Sequence, residues 1–265
     1  MKKQNFNLLA LVTLILLNSC APDHETNFVK LFNRVNLDGF YLKLRKDDAE
    51  LASKVFVVED SMIHVFNDHF PDSIDLAART NATHGLFYTD QTYSKFILKF
   101  EYKWGSKIAN NFDQYQYDAG CYYHVVDDKI WPVGIEYQIR YNHIKHMNHT
   151  GDFWATQPLM WFGAKDSSRF LNPKDGGISI PKINEVLASK PKQYNALNNR
   201  WNKCEVIVME DRYAIHKLNG EIVNMATNLQ LKEGKIGFQS ETAEIFYRNI
   251  EIRVFDKVVP MMKFL

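Results

Sequence analysis

The run DAGCYYHVVDDKIWPVGIEYQI, from Asp118 to Ile139, sets a histidine, a carboxylate and an amide among apolar and aromatic neighbours. His124, Glu136 and Gln138 are residue types that suit proton transfer and ligand orientation. An imidazole or a carboxylate can act as acid or base once its surroundings tune it, and an amide fixes hydroxyl groups by hydrogen bonds. Tyr122, Trp131 and Trp154 stand close by in the chain, and their flat apolar faces suit stacking on sugar rings. Asp118 and Asp152 add carboxylates at strand ends on either side. The chemistry within reach is acid–base work on a polar, ring-shaped ligand. The bland alternative is a solvated sheet face carrying an ion pair.

Strands must position these groups. In GIEYQIR, strict alternation puts Ile135, Tyr137 and Ile139 on one face and Glu136, Gln138 and Arg140 on the other. In the preceding strand Cys121, Tyr123 and Val125 share a face, and Tyr122, His124 and Val126 share its opposite. A simple hairpin register brings the polar faces together, with His124 within reach of Glu136 or Gln138. Alternation recurs along the chain. KFILKFEYKW places Phe96, Leu98, Phe100, Tyr102 and Trp104 on one side and Lys99, Glu101 and Lys103 on the other. KCEVIVME, RYAIHKL, GKIGFQ and EIFYRNIEIRVF read as further strands, with Asn219-Gly220 as a tight type I′ turn. Helical signals are few: a turn or two over Asp47–Ser53, and a short proline-opened helix over Pro181–Lys190. Many short strands and few helices predict one β-sandwich or barrel.

The chain has 265 residues, 46% of them hydrophobic and 14% aromatic, which supports a substantial core. Lys+Arg is 32 and Asp+Glu 31, so no basic surface is available to replace the counterions of a nucleic acid. Met1–Lys3 and the apolar run Leu8–Leu17 read as a signal peptide over residues 1–19. It ends in LNSC, a lipobox-like sequence whose Cys20 would be acylated. Residues 20–28 then form a tether, and residues 29–265 one folded domain. The expected location is the cell envelope, lipid-anchored to a bacterial membrane, at the outer membrane or facing the periplasm. Cys121 and Cys204 read as small buried hydrophobes. His143, His146 and His149, spaced by three, could offer imidazoles to a divalent metal on a helical turn, although a mobile surface loop explains the spacing as well. His64, His69, His84 and His216 read as packing or surface residues.

Longer blocks carry a resemblance. DAGCYYHVVDDKIWPVGIEYQI with TGDFWA, LFNRVNLDGFYL, GLFYTDQTYSKFILKFEYKWG, WNKCEVIV with IHKLNG, and GKIGFQSETAEIFYRNIEIR occur in the order found in the bacterial 3-keto-disaccharide hydrolases. The chain resembles that family from Val29 to Val254. The resemblance implies a concanavalin-like jelly roll of two curved antiparallel sheets with few short helices. It also implies an exported enzyme acting on glycosides whose C3 hydroxyl a separate sugar 3-dehydrogenase has oxidised. A C3 ketone acidifies the C2 proton, so a base can start β-elimination of the C1 substituent, and water then completes hydrolysis. On this likeness Glu136 is the base or a metal ligand, His124 an acid/base group or ligand, and Gln138 a substrate-orienting amide. Tyr122, Trp131, Asp152, Trp154 and Glu241 are further substrate contacts, and Arg248 is structural. No cofactor is implied with certainty, and a divalent metal stays open. Two other readings fit the same residues: a non-catalytic carbohydrate-binding lipoprotein, and a glycosidase using two of Asp118, Glu136, Asp152 and Glu241.

Overall fold

The computed structural model describes residues 27–110, 116–165 and 169–265, and in them the alternating segments are strands. Cys20 and the signal segment lie outside the described residues. In chain order the elements are β1 (Val29–Lys30), β2 (Phe40–Leu44), α1 (Ala49–Val55), β3 (Phe56–Glu59), β4 (Met62–Val65), β5 (Gly85–Thr89), β6 (Lys95–Ile108), β7 (Tyr117–Val125) and β8 (Ile135–Asn142). There follow β9 (Met147–Asn148), β10 (Phe153–Gly163), β11 (Ile178–Val186), β12 (Asn202–Met209), β13 (Tyr213–Leu218), β14 (Glu221–Thr227), β15 (Lys235–Ser240) and β16 (Ala243–Val254).

The strands form an antiparallel jelly-roll sandwich. The hydrogen-bonded path runs β2-β5-β15-β7-β8-β10-β14-β13-β12-β6-β16-β4-β3. Strand β10 joins the layers, because its start pairs with β8 through Phe153–Ala155 and its later part pairs with β14 at Met160 and Trp161. The core lies where the layers meet. Phe100 of β6 packs edge-on against Tyr137 of β8 at 5.8 Å and Phe238 of β15 at 5.1 Å, and Phe87 of β5 meets Tyr247 of β16 at 5.8 Å. Such pairs add directional preference to the burial of large rings. His216 also belongs here: it is fully buried, stacks on Phe153 at 3.8 Å, and bonds to the Tyr123 hydroxyl and the Gly151 carbonyl, each at 2.9 Å. Cys121 and Cys204 are buried free thiols.

Local signals explain most boundaries. Asp48 caps α1, its side chain accepting from the Leu51 N–H at 2.9 Å. Asn219 and Gly220 turn β13 into β14 with φ of 50° and 88°, the left-handed pair that a type I′ turn requires. Arg248 bonds to Glu101 at 2.8 Å and stacks over Trp201 at 3.9 Å, a structural role. The expected helix over Pro181–Lys190 is absent: Ile178–Val186 is strand β11, paired with β10 from Phe153↔Val186 to Gly163↔Ile178. A short helix has only local hydrogen bonds to offer, whereas the long edge of β10 supplies a ladder of backbone partners.

At the edge of the second layer His64 is clamped between Glu59 and Glu244, the latter at 2.6 Å. Glu244 also accepts from the backbone N–H groups of Ser106 and Lys107 at 2.7 and 3.0 Å. Burial opposes its charge, but His64, these amides and Lys107 prevail and hold its pKa down at about 2. Because the folded value lies below the ordinary one, the stabilisation is complete above about pH 4.5 and fades as pH falls toward 2. Glu244→Gln should therefore cost about 3 kcal/mol at pH 7. In chemical unfolding followed between pH 7 and 3, the gap between wild type and variant should narrow steadily below pH 4.5.

Candidate functional site

Glu136, Gln138 and Arg140 point away from the core, as their alternation with Ile135, Tyr137 and Ile139 requires, yet they are only 4%, 5% and 6% exposed. Outward-pointing but buried side chains mark a part of the sheet face that neighbouring segments cover, called here the hollow. Register assembles its floor across strands. Tyr41 of β2 faces Tyr88 of β5, Tyr88 faces Gly237 of β15, and Gly237 faces Tyr122 of β7. Tyr122 in turn faces Glu136, Glu136 faces Trp154 of β10, and Trp154 faces Glu185 of β11. Opposed residues share a sheet face, so this row is one continuous strip.

Glycine makes room for the central carboxyl. Gly120 faces Gln138, and a Cβ at Gly120 would lie 2.0 Å from Glu136 Oε1. The Glu136 carboxyl thus lies across the bare backbone of Gly120. Burial is the main force raising its pKa, to about 8; the Glu241 charge adds to the rise, while the Tyr122 hydroxyl and Arg140 oppose it. Glu241 is raised to about 7 by burial, against the pull of Arg140 and a bond from Trp131. Asp118 is pushed well up by burial and by Glu241, again opposed by Arg140. Gln138 Nε2 donates to Asp118 Oδ1 at 2.5 Å and to the Ala119 carbonyl at 3.1 Å.

One guanidinium serves these acids. Burial works against the charge of Arg140, but Asp118, Glu185 and Asp152 outweigh it. Its Nη2 bonds to Glu185, lies 3.2 Å from His149 Nδ1, and is 4.0 Å from Asp152. Asp152 is fully buried: Oδ2 bonds to His149 at 2.9 Å and Oδ1 accepts from the Ala188 N–H at 2.6 Å. The turn carrying His149 and Asp152 is stitched to β8 through His149 N–H to Arg140 O and Gly151 N–H to Gln138 O, and Gly151 takes a φ of 97° that suits glycine. His149, Asp152 and Glu185 offer ligand atoms within 4.8 Å of one another, a set compatible with a divalent cation. Arg140 Nη2 already supplies a cation to this trio, so a metal there would have to displace it. His143 and His146 do not join this set; they turn toward Tyr117 and Tyr141.

The β7–β8 loop closes one side. Ile130 packs on Leu86, Tyr88, Tyr122 and Val125, and the Tyr88 hydroxyl donates to the Lys129 carbonyl at 2.5 Å. Trp131, 47% exposed, stands at the rim, with His84 edge-on at 5.6 Å and Arg45 over its ring at 5.5 Å. His84 was expected to be packing or surface, and it is buried, with Nδ1 3.9 Å from Glu241. Trp154, 39% exposed, stands on the other side of Glu136.

The structure therefore brings Glu136, Gln138, Tyr122, Trp131, Trp154 and Glu241 together. It separates His124 from them. Gly237 faces Tyr122 while Lys235 faces Val125, so β7 spends one residue more than β15 over this stretch. His124 sits in that bulge with φ of 50°, its Nδ1 2.9 Å from the Leu231 carbonyl oxygen and its Nε2 3.3 Å from that of Ser94. Burial lowers its pKa to about 4, so it is a neutral structural imidazole. Asp152 is beside the hollow but sealed, a support for Arg140 and His149 and not a substrate contact. Sequence reasoning left Arg140 without a role and missed Glu185 altogether; the alternation of β8 points to the first, and no local signal points to the second.

A groove of about 580 Å³ on the opposite layer is a different kind of surface. Its Lys99, Lys217 and Glu205 form pairs at 3.7 and 3.2 Å, as a solvated sheet face does.

Residues 27–253 match the family model of the 3-keto-alpha-glucoside-1,2-lyase-like domain. No curated protein matches the chain. Two solved structures from Parabacteroides distasonis ATCC 8503, named as candidate glycosyl hydrolases, share the fold. One is 20% identical with a TM-score of 0.51, covering 86% of this chain and 94% of that one. The other is 15% identical with a TM-score of 0.52, covering 86% of this chain and all of that one.

The electrostatics of the hollow can be read directly. Carbon-detected NMR of side-chain-labelled glutamate should show a carboxyl titrating near pH 8 that vanishes in Glu136→Gln. In Glu241→Gln the Glu136 signal should titrate at lower pH, because a neighbouring negative charge is gone.

Proposed function

The chain belongs to the 3-keto-alpha-glucoside-1,2-lyase-like domain family, and we propose that it cleaves glycosides already oxidised to a ketone at C3, with Glu136 as the base. The observation that carries this reading is a desolvated carboxyl, raised to about 8, set in a strip of aromatic rings. A base works best when its pKa lies near the working pH, and burial has moved Glu136 there. Trp154, half-exposed beside Glu136, gives a pyranose ring an apolar face to rest on.

The steps follow from the ketone. Glu136 takes the C2 proton, and the C2–H electron pair forms a C2–C3 double bond with the charge on O3. When the C3 carbonyl reforms, the pair moves to C1–C2 and the C1–O bond breaks. The departing oxygen takes a proton from Glu241, the second carboxyl that burial raises to a near-neutral value. Water then adds across C1–C2, its hydroxyl at C1 and its proton at C2. Arg140, whose charge acts on Glu136, is the buried cation available to offset the developing negative charge among the described residues. If His149, Asp152 and Glu185 held a divalent ion, it would take the place of the Arg140 guanidinium among them and supply the positive charge at that end of the hollow. The C3 oxidation must come from a separate dehydrogenase acting on the intact glycoside.

We propose also that the chain is exported and held at the cell envelope by a lipid on Cys20, supported by the basic start, the apolar run and Leu17–Cys20. Radiolabelled palmitate should be incorporated by the full chain and not by Cys20→Ala.

In deuterated water, a 3-keto-glycoside should exchange its C2 hydrogen and release its aglycone. Glu136→Gln should lower both rates by at least about 10³-fold with an unchanged melting temperature. Hydrolysis of the unoxidised glycoside without C2 exchange would mark a classical two-carboxylate glycosidase. Binding of sugars with no turnover of either form would mark a binding module.

A further inference from the structure

The second layer of the sandwich has an outer face of its own, turned away from the one that bears Glu136. Phe96, Leu98 and Phe100 of β6 are buried in the core, so Lys99, Glu101 and Lys103 point outward. Register extends this face across strands. Lys30 of β1 faces Glu251 of β16, Glu251 faces Lys99, Lys99 faces Glu205 of β12, and Glu205 faces Lys217 of β13. In the next row Arg248 faces Glu101, and Glu101 faces Lys203. Cations therefore stand at both ends of each row, with the carboxylates between them.

The carboxylates are also the deeper groups. The Glu101 and Glu205 side chains are 15% and 23% exposed, against 45% for Lys99, and Lys30, Arg34 and Lys203 are exposed residues. A lysine reaches past a glutamate on its longer stem and keeps its head in water, so the outermost shell of this face is positive. Arg34 lines the same groove as Lys99 and Lys203, and its Nη2 donates to the neutral Asn249 Oδ1 at 2.6 Å. Arg248 and Lys103 lie over the Trp201 ring at 3.9 and 5.4 Å. The acids Asp118, Glu136 and Glu241 gather on the other layer. Lys+Arg of 32 against Asp+Glu of 31 thus hides a separation of sign between the two faces.

The chain enters the domain on this layer, through β1, the strand that adds Lys30 to the first row. From Cys20 to Val29 an extended chain spans at most about 30 Å, so a lipid on Cys20 would keep the layer close to the bilayer. A surface potential that decays over about 8 Å then selects the face that turns toward it. Resting on the proposed anchor at Cys20, we infer that the face carrying Lys30, Arg34, Lys99, Lys203 and Lys217 docks on an anionic phospholipid surface. Docking there turns the face that bears Glu136 to the aqueous side, where a sugar substrate would arrive.

Partition onto vesicles of phosphatidylcholine, with and without phosphatidylglycerol, tests this. The full-length Cys20→Ala chain has no lipid, and its leader is common to every variant, so contrasts among variants report the folded face. Adding Lys30→Gln, Arg34→Gln and Lys203→Gln should lower partition onto the anionic vesicles by at least about 10-fold, since each cation near such a surface contributes about fivefold. Partition onto the neutral vesicles and the melting temperature should not change, because all three side chains are exposed. The matched set Lys145→Gln, Lys174→Gln and Lys182→Gln, exposed cations on other segments, should leave both partitions unchanged. An equal loss in the matched set would mean attraction to overall charge and would overturn the assignment of a face, as would no loss in the first set. The lipid-bearing chain reports orientation: on anionic vesicles a water-soluble acylating ester, followed by peptide mass spectrometry, should modify Lys203 at least about fivefold more slowly than Lys182. Equal rates would overturn the docking. Absence of palmitate on Cys20 would refute the anchor alone, because the partition of the unlipidated chain is measured without it.

Discussion

The placement of a carboxyl group over the bare backbone of Gly120 is the constraint that organises this molecule. Any side chain at that position would occupy the space where Glu136 Oε1 lies. With glycine there, the carboxylate is folded down against the sheet, out of water, and ionising it is costly. That cost is borne by the fold: with its folded value raised above the ordinary 4.5, the carboxyl makes stability fall as pH rises from about 4.5, and the loss levels off above about 8 once the folded group is ionised as well. Proteins retain such unfavourable ionisation where it serves chemistry. Everything around Glu136 either deepens the desolvation, as the β7–β8 loop does, or limits the charge that accumulates, as Arg140 does.

That limit is narrow. Asp118, Glu136, Glu241, Asp152 and Glu185 converge on one guanidinium and the His149 imidazole. Arg140 is the one buried guanidinium or ammonium group among the described residues, too little to neutralise so many acids, so protons stay on some of them near neutrality. The sandwich makes this tolerable by anchoring the cation rigidly. Arg140 lies on β8, His149 and Asp152 sit in a turn pinned to β8 by backbone bonds, and Glu185 arrives on β11. β10 carries this arrangement because it belongs to both layers; its first residues face β8 while its later ones join β14. The site is thus built on strands at the seam of the sandwich, where main-chain hydrogen bonds fix the geometry more firmly than a loop would.

How much of this the chain discloses depends on whether the governing interaction is local. The faces of β6 and β8 follow from alternation alone, so the core and the Glu136–Gln138 pair are legible from residue order. His124 defeats the same rule: one extra residue in β7 reverses the parity after Tyr123, and nothing in YHVV announces the bulge. Glu185 defeats it differently. Its segment opens with proline and carries helix-forming residues, and only the unpaired length of β10 makes it a strand. Glu241 is visible in QSE, but its charge reaches Glu136 only because the fold brings the turn between β15 and β16 toward β8. Asp152 reads as a reachable carboxylate and is sealed behind its own hydrogen bonds.

The protonation pattern bears on the kind of bond cleavage the hollow suits. A route through an oxocarbenium-like state gains from a carboxylate that stays ionised, since its negative charge stabilises the developing cation. Here burial raises both Glu136 and Glu241, and the Glu241 charge adds to the rise at Glu136, so neither is a firmly held anion. That is poor support for a cation and good support for a proton relay, in which one group must accept and another must give within the same pH range. A ketone at C3 removes the need to stabilise positive charge at C1 by letting the sugar carry negative charge on O3 instead. Arg140 then becomes the complementary charge, and its place at the centre of the acids follows from the same logic as the desolvation of Glu136.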